Sequence, residues 1–245
     1  MSPVRNHARA QARPKGALGR AISNGMSKGR EREARARKIT TYLKKAYPNP
    51  KSDLTHTTPF QFAVSVILSA QCTDKVVNHV TGTLYKKYKT ARDFARANPR
   101  VLEKHISSIP FFRNKTKAII ATASIVARDY GGVVPKSGAE LVALPGIGYK
   151  TAHVILGELY DSWEGIPTDT HVKRFARRFD LTDHLDLKKI SHDLEALIPK
   201  IDWKYVNNGL VLYGRYVCPA RPHDCADHPL TKIWSQASKR WPKAK

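Results

Sequence analysis

A lysine and a carboxylate are the residues whose types and spacing best support a reaction. Lys150 closes the segment Leu-Pro-Gly-Ile-Gly-Tyr-Lys, and Asp169 follows nineteen positions later within Pro-Thr-Asp-Thr-His. A Gly-x-Gly turn at a helix start exposes backbone N–H groups that hold a phosphate without reading a sequence. A deprotonated amine beside that phosphate acts as a nucleophile, and a carboxylate stabilises positive charge that develops on the substrate. Together these groups indicate chemistry on DNA.

Composition favours the same class of partner. The 245 residues include 43 Lys and Arg against 20 Asp and Glu, a net charge of +23, which favours a polyanion such as DNA, RNA or an acidic membrane surface. No apolar run is long enough to predict a membrane span, and no secretory signal is evident. Three cysteines do not form a disulfide framework, so we expect a reducing, cytoplasmic location.

The N-terminal segment differs in composition from the rest. Residues 1–30 are rich in Arg and Lys, contain no acid and carry few large apolar side chains. This composition predicts a disordered basic tail that adds salt-sensitive, sequence-independent affinity for nucleic acid. An organelle transit peptide has the same character and stays open as the alternative, with an organelle as the location.

From residue 31 onward the apolar spacing is helical, and no two-residue alternation is evident. One example is the repeat at three and four positions formed by Phe60, Ala63, Val64, Ile67 and Leu68. Glycine and proline breaks separate segments of about 8 to 17 residues. The sequence therefore predicts an all-α protein, with a helix-hairpin-helix candidate over residues 137–159.

Four segments, taken in order, resemble the endonuclease III family of bifunctional DNA glycosylases, which belongs to a helix-hairpin-helix superfamily with a Gly/Pro-rich loop and an Asp. The segments are residues 144–156, residues 169–171, the run Ser-Ala-Gln-Cys-Thr-Asp at residues 69–74, and the run Phe-Phe-Arg-Asn-Lys at residues 111–115. The resemblance covers about residues 31 to 225. A hairpin alone is a weak signal, whereas a hairpin with a lysine and a downstream Asp is strong.

The resemblance implies roles for the two reactive groups. Lys150 matches the lysine that attacks C1′ of a damaged nucleotide, and Asp169 matches the essential carboxylate. The implied activity is removal of oxidised pyrimidines from duplex DNA, followed by β-elimination at the abasic site through a lysine Schiff base. Two alternatives stay open: a monofunctional DNA glycosylase, which activates water, and a non-catalytic DNA-binding protein of the same fold.

The resemblance also implies contacts that open the duplex, because a stacked base must be flipped out before it can react. Gln71 matches the residue that fills the vacated space, Phe111 lies in the wedge loop, and Asp74 matches an acid of the base pocket. An ordinary helix-end amide and a core aromatic are the alternatives for Gln71 and Phe111. The remaining predicted DNA contacts are Gly146, Gly148, Tyr149, Thr151, Asn114 and Lys115.

The sequence departs from the family at several positions. Pro110 stands where glycine is more common before the wedge, which affects the predicted lesion preference, and Tyr149 replaces a basic residue. Many relatives hold a four-iron, four-sulfur cluster with cysteines spaced C-x6-C-x2-C-x5-C, and this chain keeps only the first interval. Such a cluster takes four thiolates, so we predict that it is absent and that the chemistry needs no cofactor. Zinc held by Cys218, Cys225 and His228, with His223 as a further ligand, is the weaker alternative to a loop held by packing.

The resemblance implies two helical lobes with a DNA groove between them. Residues 52–162 would form a six-helix barrel that carries the hairpin, and residues 31–51 with 163–245 would form the second lobe, which includes the degenerate cluster loop. The implied partner is double-stranded DNA with damaged bases or abasic sites. We expect a monomer that makes no membrane contact.

Overall fold

The computed structural model describes residues 15–239. They form helices and loops without a strand, which confirms the predicted all-α fold. Among these residues, no helix is both long and apolar enough to cross a membrane. The helices are α1 (Lys15–Ala46), α2 (Pro59–Ser69), α3 (Asp74–Lys87), α4 (Ala91–Ala95), α5 (Pro99–His105), α6 (Phe112–Asp129), α7 (Gly138–Val142), α8 (Tyr149–Tyr160), α9 (Thr170–Arg178), α10 (Leu187–Leu197), a 3₁₀ turn (Lys200–Asp202), α11 (Trp203–Tyr216), α12 (Pro229–Ile233) and α13 (Gln236–Lys239).

Local signals set several of these helix starts. Thr58 precedes α2, where its hydroxyl accepts from Gln61 N and Pro59 occupies the first turn. Thr90 and Asp93 form a capping box at the start of α4. Short polar caps thus divide the apolar sequence into helices of defined length.

Two separate hydrophobic clusters organise these helices. The first draws on residues between Leu54 and Leu156, and α2 to α8 surround it; we call this unit the first lobe. The second combines α1 with α9 to α13 and draws on residues 36–43 and 166–237; we call it the second lobe. The first cluster lies within residues 52–162, and the second lies within residues 31–51 and 163–245, as predicted for the two lobes. The exact lobe boundaries stay a prediction.

Helix α1 is fixed to the second lobe by charged side chains. Arg35, 8% exposed, donates to the Phe179 carbonyl, and Arg32 donates to the Asp180 carbonyl and carboxylate. Lys28 pairs with Asp183 at 3.0 Å. These contacts attach an N-terminal helix to residues more than a hundred positions away.

Helix α1 overlaps the segment predicted to be a disordered basic tail. Residues 1–14 lie outside the described part of the chain, and the segment is helical from Lys15. The ion pair of Lys28 with Asp183 is an interaction that composition could not anticipate, because its partner is distant in sequence. The extent of the tail stays a prediction.

The hairpin between α7 and α8 depends on one glycine. Gly146 has φ +78°, and a Cβ there would lie 2.7 Å from the Cβ of Ala118 in α6. The Thr122 hydroxyl donates to the Pro145 carbonyl at 2.7 Å, and Ile147 is buried. The turn thus rests directly on α6, and a side chain at Gly146 would be both strained and crowded.

Candidate active site

A cleft of about 220 Å³ is lined by residues of both lobes. Five residues selected from the sequence meet in it, namely Lys150, Asp169, Gln71, Asp74 and Thr151. Segments that are far apart in the chain therefore reach one cleft. Its remaining lining residues are Lys51, Ser52, Asp53, Leu54, Val66, Ser69, Ala70, Val154, Glu158, Asn207, Asn208, Val211, Leu212 and Arg215.

Lys150 is the second residue of α8, and its side chain is exposed. Gly148 is the N-cap residue and provides no side-chain hydrogen bond, and the first turn contains no acid. The backbone N–H groups of this turn are therefore available to an anion, and the positive end of the helix dipole lies there.

Asp169 is the N-cap of α9, and its Oδ1 accepts from His171 N at 2.8 Å and from Val172 N at 2.9 Å. The preceding loop is held by Asn207, which donates to the Pro167 carbonyl at 2.5 Å. The hydroxyl of Thr168 donates to the Ile166 carbonyl and not to the helix, so the cap of α9 is Asp169. The carboxylate is thereby fixed in one orientation towards the cleft.

Charges of both signs surround Asp169. Burial lowers the pKa of His171, the Asp169 carboxylate opposes this shift, and the positive charges of Arg174, Arg215 and Lys150 lower the pKa further. A side chain at Gly214 would collide with the His171 ring, which agrees with a packed rather than a mobile imidazole.

The predicted base-pocket acid is paired. Asp74 begins α3 and lies 2.7 Å from the guanidinium of Arg215, which also contacts Asp53 at 2.6 Å. Both carboxylates raise the pKa of Arg215 against the opposing effect of burial, which is the largest single contribution. Arg215 therefore joins the end of α11 in the second lobe to α3 in the first.

The two residues predicted to enter the duplex share an unusual backbone conformation. Gln71 has φ +54° and Phe111 has φ +58°, although neither is a glycine. The Phe111 side chain is 63% exposed, which excludes the alternative of a core aromatic, and Gln71 is exposed at the rim of the cleft. Such left-handed residues cost about 1–3 kcal/mol each and persist where the surroundings hold them.

Lys115 is placed differently from the prediction. It is 7% exposed, and its Nζ donates to the carbonyls of Leu68 at 2.8 Å and Ala70 at 2.6 Å. Burial lowers its pKa, while the nearby Cys72 thiol opposes the shift. This position corrects the predicted DNA contact, because the ammonium is directed into the protein and holds the end of α2 just before Gln71.

Tyr149 and Asn114 remain at the surface. Asn114 is exposed in the first turn of α6, and Tyr149 is 45% exposed. The Tyr149 ring packs on His153, with centroids 4.0 Å apart, and its hydroxyl lies where a side chain at Gly165 would stand. Burial and the charges of nearby glutamates raise the pKa of Tyr149. Its side chain thus contacts the second lobe, while its backbone N–H stays at the start of α8.

The cysteines near the C-terminus cannot hold a four-thiolate cluster. The whole chain has three cysteines, and the third lies in the first lobe. Cys218 and Cys225 are buried, and Arg178 donates to both sulfurs, at 3.0 Å to Cys218. Burial raises the pKa of Cys218, against the lowering effect of Arg178. Ligand atoms of Cys218, His223 and His228 lie within 4.8 Å of one another.

Sequence reasoning missed several residues of the cleft. Asn207 is 4% exposed within α11 and fixes the loop before Asp169, while Glu158 accepts from Ser52 N at 3.0 Å. A polar Asn-Asn pair within an apolar helix was an available signal for Asn207. Arg215 gave no such signal, because its acidic partners Asp53 and Asp74 are distant in the sequence.

Comparison with known proteins identifies the family of this chain. The profile of the HhH-GPD family, described as "HhH-GPD superfamily base excision DNA repair protein", matches residues 64–200. The chain is 38% identical over 216 residues to endonuclease III of Synechocystis sp., covering 88% of this chain and 99% of that protein. It is 38% identical over 198 residues to endonuclease III of Bacillus subtilis, covering 79% and 89%.

A solved structure is also similar. Its subject is a trapped endonuclease III–DNA covalent intermediate, and it superposes with a TM-score of 0.78 at 33% identity, covering 86% of this chain and 99% of that one. The similarity extends over both lobes.

Proposed function

The chain belongs to the endonuclease III family of HhH-GPD base excision DNA repair proteins, and on that premise we propose that it is a DNA glycosylase and abasic-site lyase with Lys150 and Asp169 as its catalytic residues. One observation carries the assignment. Lys150 at the start of α8 and Asp169 at the start of α9 line one cleft from different lobes.

The first half of the reaction exchanges the base for the protein amine. The neutral amine of Lys150 attacks C1′, the bond from C1′ to the base breaks, and the base leaves with the bonding electrons and takes up a proton. Positive charge develops on the sugar ring as this bond lengthens, and the fixed Asp169 carboxylate stabilises it. The phosphate beside the attacked sugar binds the exposed N–H groups at the start of α8.

The second half cuts the strand. Ring opening of the sugar gives an imine between Lys150 and C1′, and the protonated imine makes the C2′ hydrogen acidic. Loss of that proton expels the 3′ phosphate by β-elimination, and water then hydrolyses the imine to release Lys150. Each step uses groups of this chain, the DNA and water, so we propose a cofactor-independent reaction in a protein that carries no four-iron cluster.

The surface around the cleft supports duplex opening. We assign Gln71 to the space left by the flipped nucleotide and Phe111 to the wedge between neighbouring bases, since both are exposed and held in left-handed conformations. Asp74 and its partner Arg215 lie within the cleft that would receive the base. We propose oxidised pyrimidines as the substrate class, a monomeric protein, and a cytoplasmic location at the chromosome.

The decisive experiment traps the imine. Borohydride reduces an imine to a stable amine, so duplex DNA with thymine glycol or an abasic site becomes attached to the protein through Lys150. We expect an adduct with the wild type and none with Lys150→Gln. Lys188→Gln is the matched control, because Lys188 is an exposed lysine in α10 that does not line the cleft.

The same assay separates the alternatives. Base release without a trapped adduct would identify a monofunctional glycosylase. Binding to damaged DNA without either product would identify a non-catalytic protein. Equal adduct yield from Lys150→Gln and the wild type would refute the assignment of Lys150.

A further inference from the structure

A group of sulfur and nitrogen atoms lies where the chain passes from α11 to α12, outside the catalytic cleft. Cys218 follows α11 directly and is 0% exposed, and ligand atoms of Cys218, His223 and His228 lie within 4.8 Å of one another. The two imidazole rings are 5.0 Å apart between centroids. One thiol and two imidazoles whose ligand atoms lie within 4.8 Å of one another can bind a single small cation together.

The hydrogen bond of His223 determines which of its ring nitrogens carries the proton. His223 Nδ1 lies 2.7 Å from the Arg221 carbonyl, so Nδ1 carries the proton and Nε2 keeps its lone pair. That Nε2 lies 3.6 Å from Cys218 Sγ. His228 Nδ1 is buried and has no hydrogen-bond partner in the described part of the chain. A buried polar atom without a partner destabilises the fold, and a ligand at this position would relieve that cost.

The separation between one sulfur and one nitrogen agrees with tetrahedral coordination. Zn–S bonds of about 2.3 Å and Zn–N bonds of about 2.0 Å place a sulfur and a nitrogen ligand roughly 3.5 Å apart. The observed separation between Cys218 Sγ and His223 Nε2 is 3.6 Å. A direct S–H···N hydrogen bond accounts for that one distance, but it leaves His228 without a partner.

A second cysteine lies close to the group. Arg178 is 1% exposed and donates to Cys218 Sγ through one guanidinium nitrogen and to Cys225 Sγ through another. One guanidinium therefore holds both sulfurs on the same side of the loop between α11 and α12.

From these observations we propose that Cys218, His223 and His228 bind one zinc ion, with the Cys225 side chain nearby. Zinc accepts mixed sulfur and nitrogen ligands, whereas an iron–sulfur cubane needs thiolates that this chain lacks. The ion links the end of α11 to the start of α12 and thereby fixes the loop between them. The proposal is independent of the glycosylase activity, since none of these residues lines the cleft.

The test measures metal content and coordination in the full chain. Protein refolded or purified with zinc and then freed of excess metal is analysed by mass spectrometry under native conditions and by elemental analysis. We expect one zinc per chain in the wild type and none in His223→Gln or His228→Asn. These half-buried positions keep the fold intact better than the buried Cys218. Cys72→Ser, a cysteine of the other lobe, is the matched control and should retain the ion.

Cobalt substitution identifies the sulfur ligand. The cobalt-loaded wild type should show a sulfur-to-cobalt charge-transfer band, and this band should disappear in Cys218→Ser. A chelator should lower the Tm of the wild type and leave that of His228→Asn unchanged. A wild type that binds no zinc, or one whose zinc content is unchanged by both histidine substitutions, would overturn the proposal. Binding of iron with broad visible absorption would also overturn it, whatever the result of the borohydride assay.

Discussion

Replacement of Lys115 by methionine tests how the protein holds the residue that enters the duplex. The ammonium of Lys115 binds the carbonyls of Leu68 and Ala70, which end α2 immediately before Gln71. Lys115 itself lies in the first turn of α6, whose N-cap is Phe111. One buried lysine therefore connects the two elements that carry Gln71 and Phe111, the residues proposed to enter the duplex. Lys115→Met keeps most of the side-chain volume and removes the charge.

The size of the effect follows from the contacts. Hydrogen bonds to a charged group contribute about 1.5–3 kcal/mol each. The methionine variant no longer buries a charged ammonium, and the desolvation cost that it avoids offsets part of this loss. We expect the free energy of unfolding to fall by about 1–3 kcal/mol. Gln71 is held at φ +54°, a conformation that costs about 1–2 kcal/mol in a residue with a Cβ. Without the hydrogen bonds of Lys115, the turn at Gln71 relaxes. The fraction of molecules that hold Gln71 in the conformation needed to enter the duplex then falls about tenfold.

Two measurements distinguish this effect from simple loss of charge. Single-turnover excision of thymine glycol should slow about tenfold, whereas binding to undamaged duplex should change less than about twofold, since the ammonium is buried and contacts no phosphate. Lys117→Met is the matched control, because Lys117 is exposed on the same helix and carries the same charge. It should affect general duplex binding and leave the single-turnover rate unchanged at saturating protein.

A double-mutant cycle decides whether the effect acts through Gln71. If Lys115 works by positioning that turn, Lys115→Met should slow excision much less in a Gln71→Ala background than in the wild type. Additive effects would refute the positioning role, as would equal loss of undamaged-DNA binding in Lys115→Met and Lys117→Met.

The remaining predictions concern a carboxylate in each of two regions. Asp169→Asn should keep the helix cap, since Asn and Asp cap equally well, while excision falls about 10²–10³-fold because the stabilising charge is gone. Asp183, whose pKa hydrogen bonds from Arg32 and Lys28 lower to about 2, should stabilise the fold above pH 4 and lose this effect as the pH falls towards 2. Because its side chain is 62% exposed, Asp183→Asn should cost less than about 1 kcal/mol in urea unfolding at pH 6, and the difference from the wild type should vanish near pH 2.

Each of these predictions has a control. Asp169→Ala should lose both the cap, at about 1 kcal/mol, and the activity, so equal stability of the Asn and Ala variants would show that the cap does not matter. Near-wild-type excision by Asp169→Asn would remove the carboxylate from the mechanism. For Asp183, a difference between variant and wild type that grows as the pH falls would contradict the sign of the linkage.

Local signals in the sequence were sufficient to predict the helices and to propose Lys150 and Asp169 as the catalytic pair. Helical spacing of apolar residues, polar caps and glycine breaks act over a few residues, so they can be read without a fold. The Gly-x-Gly turn with Lys150 and the short segment around Asp169 are also local patterns that can be recognised without a fold. Their spacing could be interpreted through the resemblance to a family, and the structure places both in one cleft.

Interactions between distant segments were decided only by the tertiary structure. Lys115 was predicted to contact DNA because an exposed lysine and a buried one look the same in a sequence, and its carbonyl partners lie 45 and 47 positions away. Lys28, within the segment predicted to be a tail, meets Asp183, 155 positions later. Likewise, the guanidinium of Arg178 meets both sulfurs near the C-terminus. The sequence was sufficient to propose which groups react and where helices begin. Burial and long-range pairing, which depend on the packed chain, decided which charged side chains stay exposed and which hold the protein together.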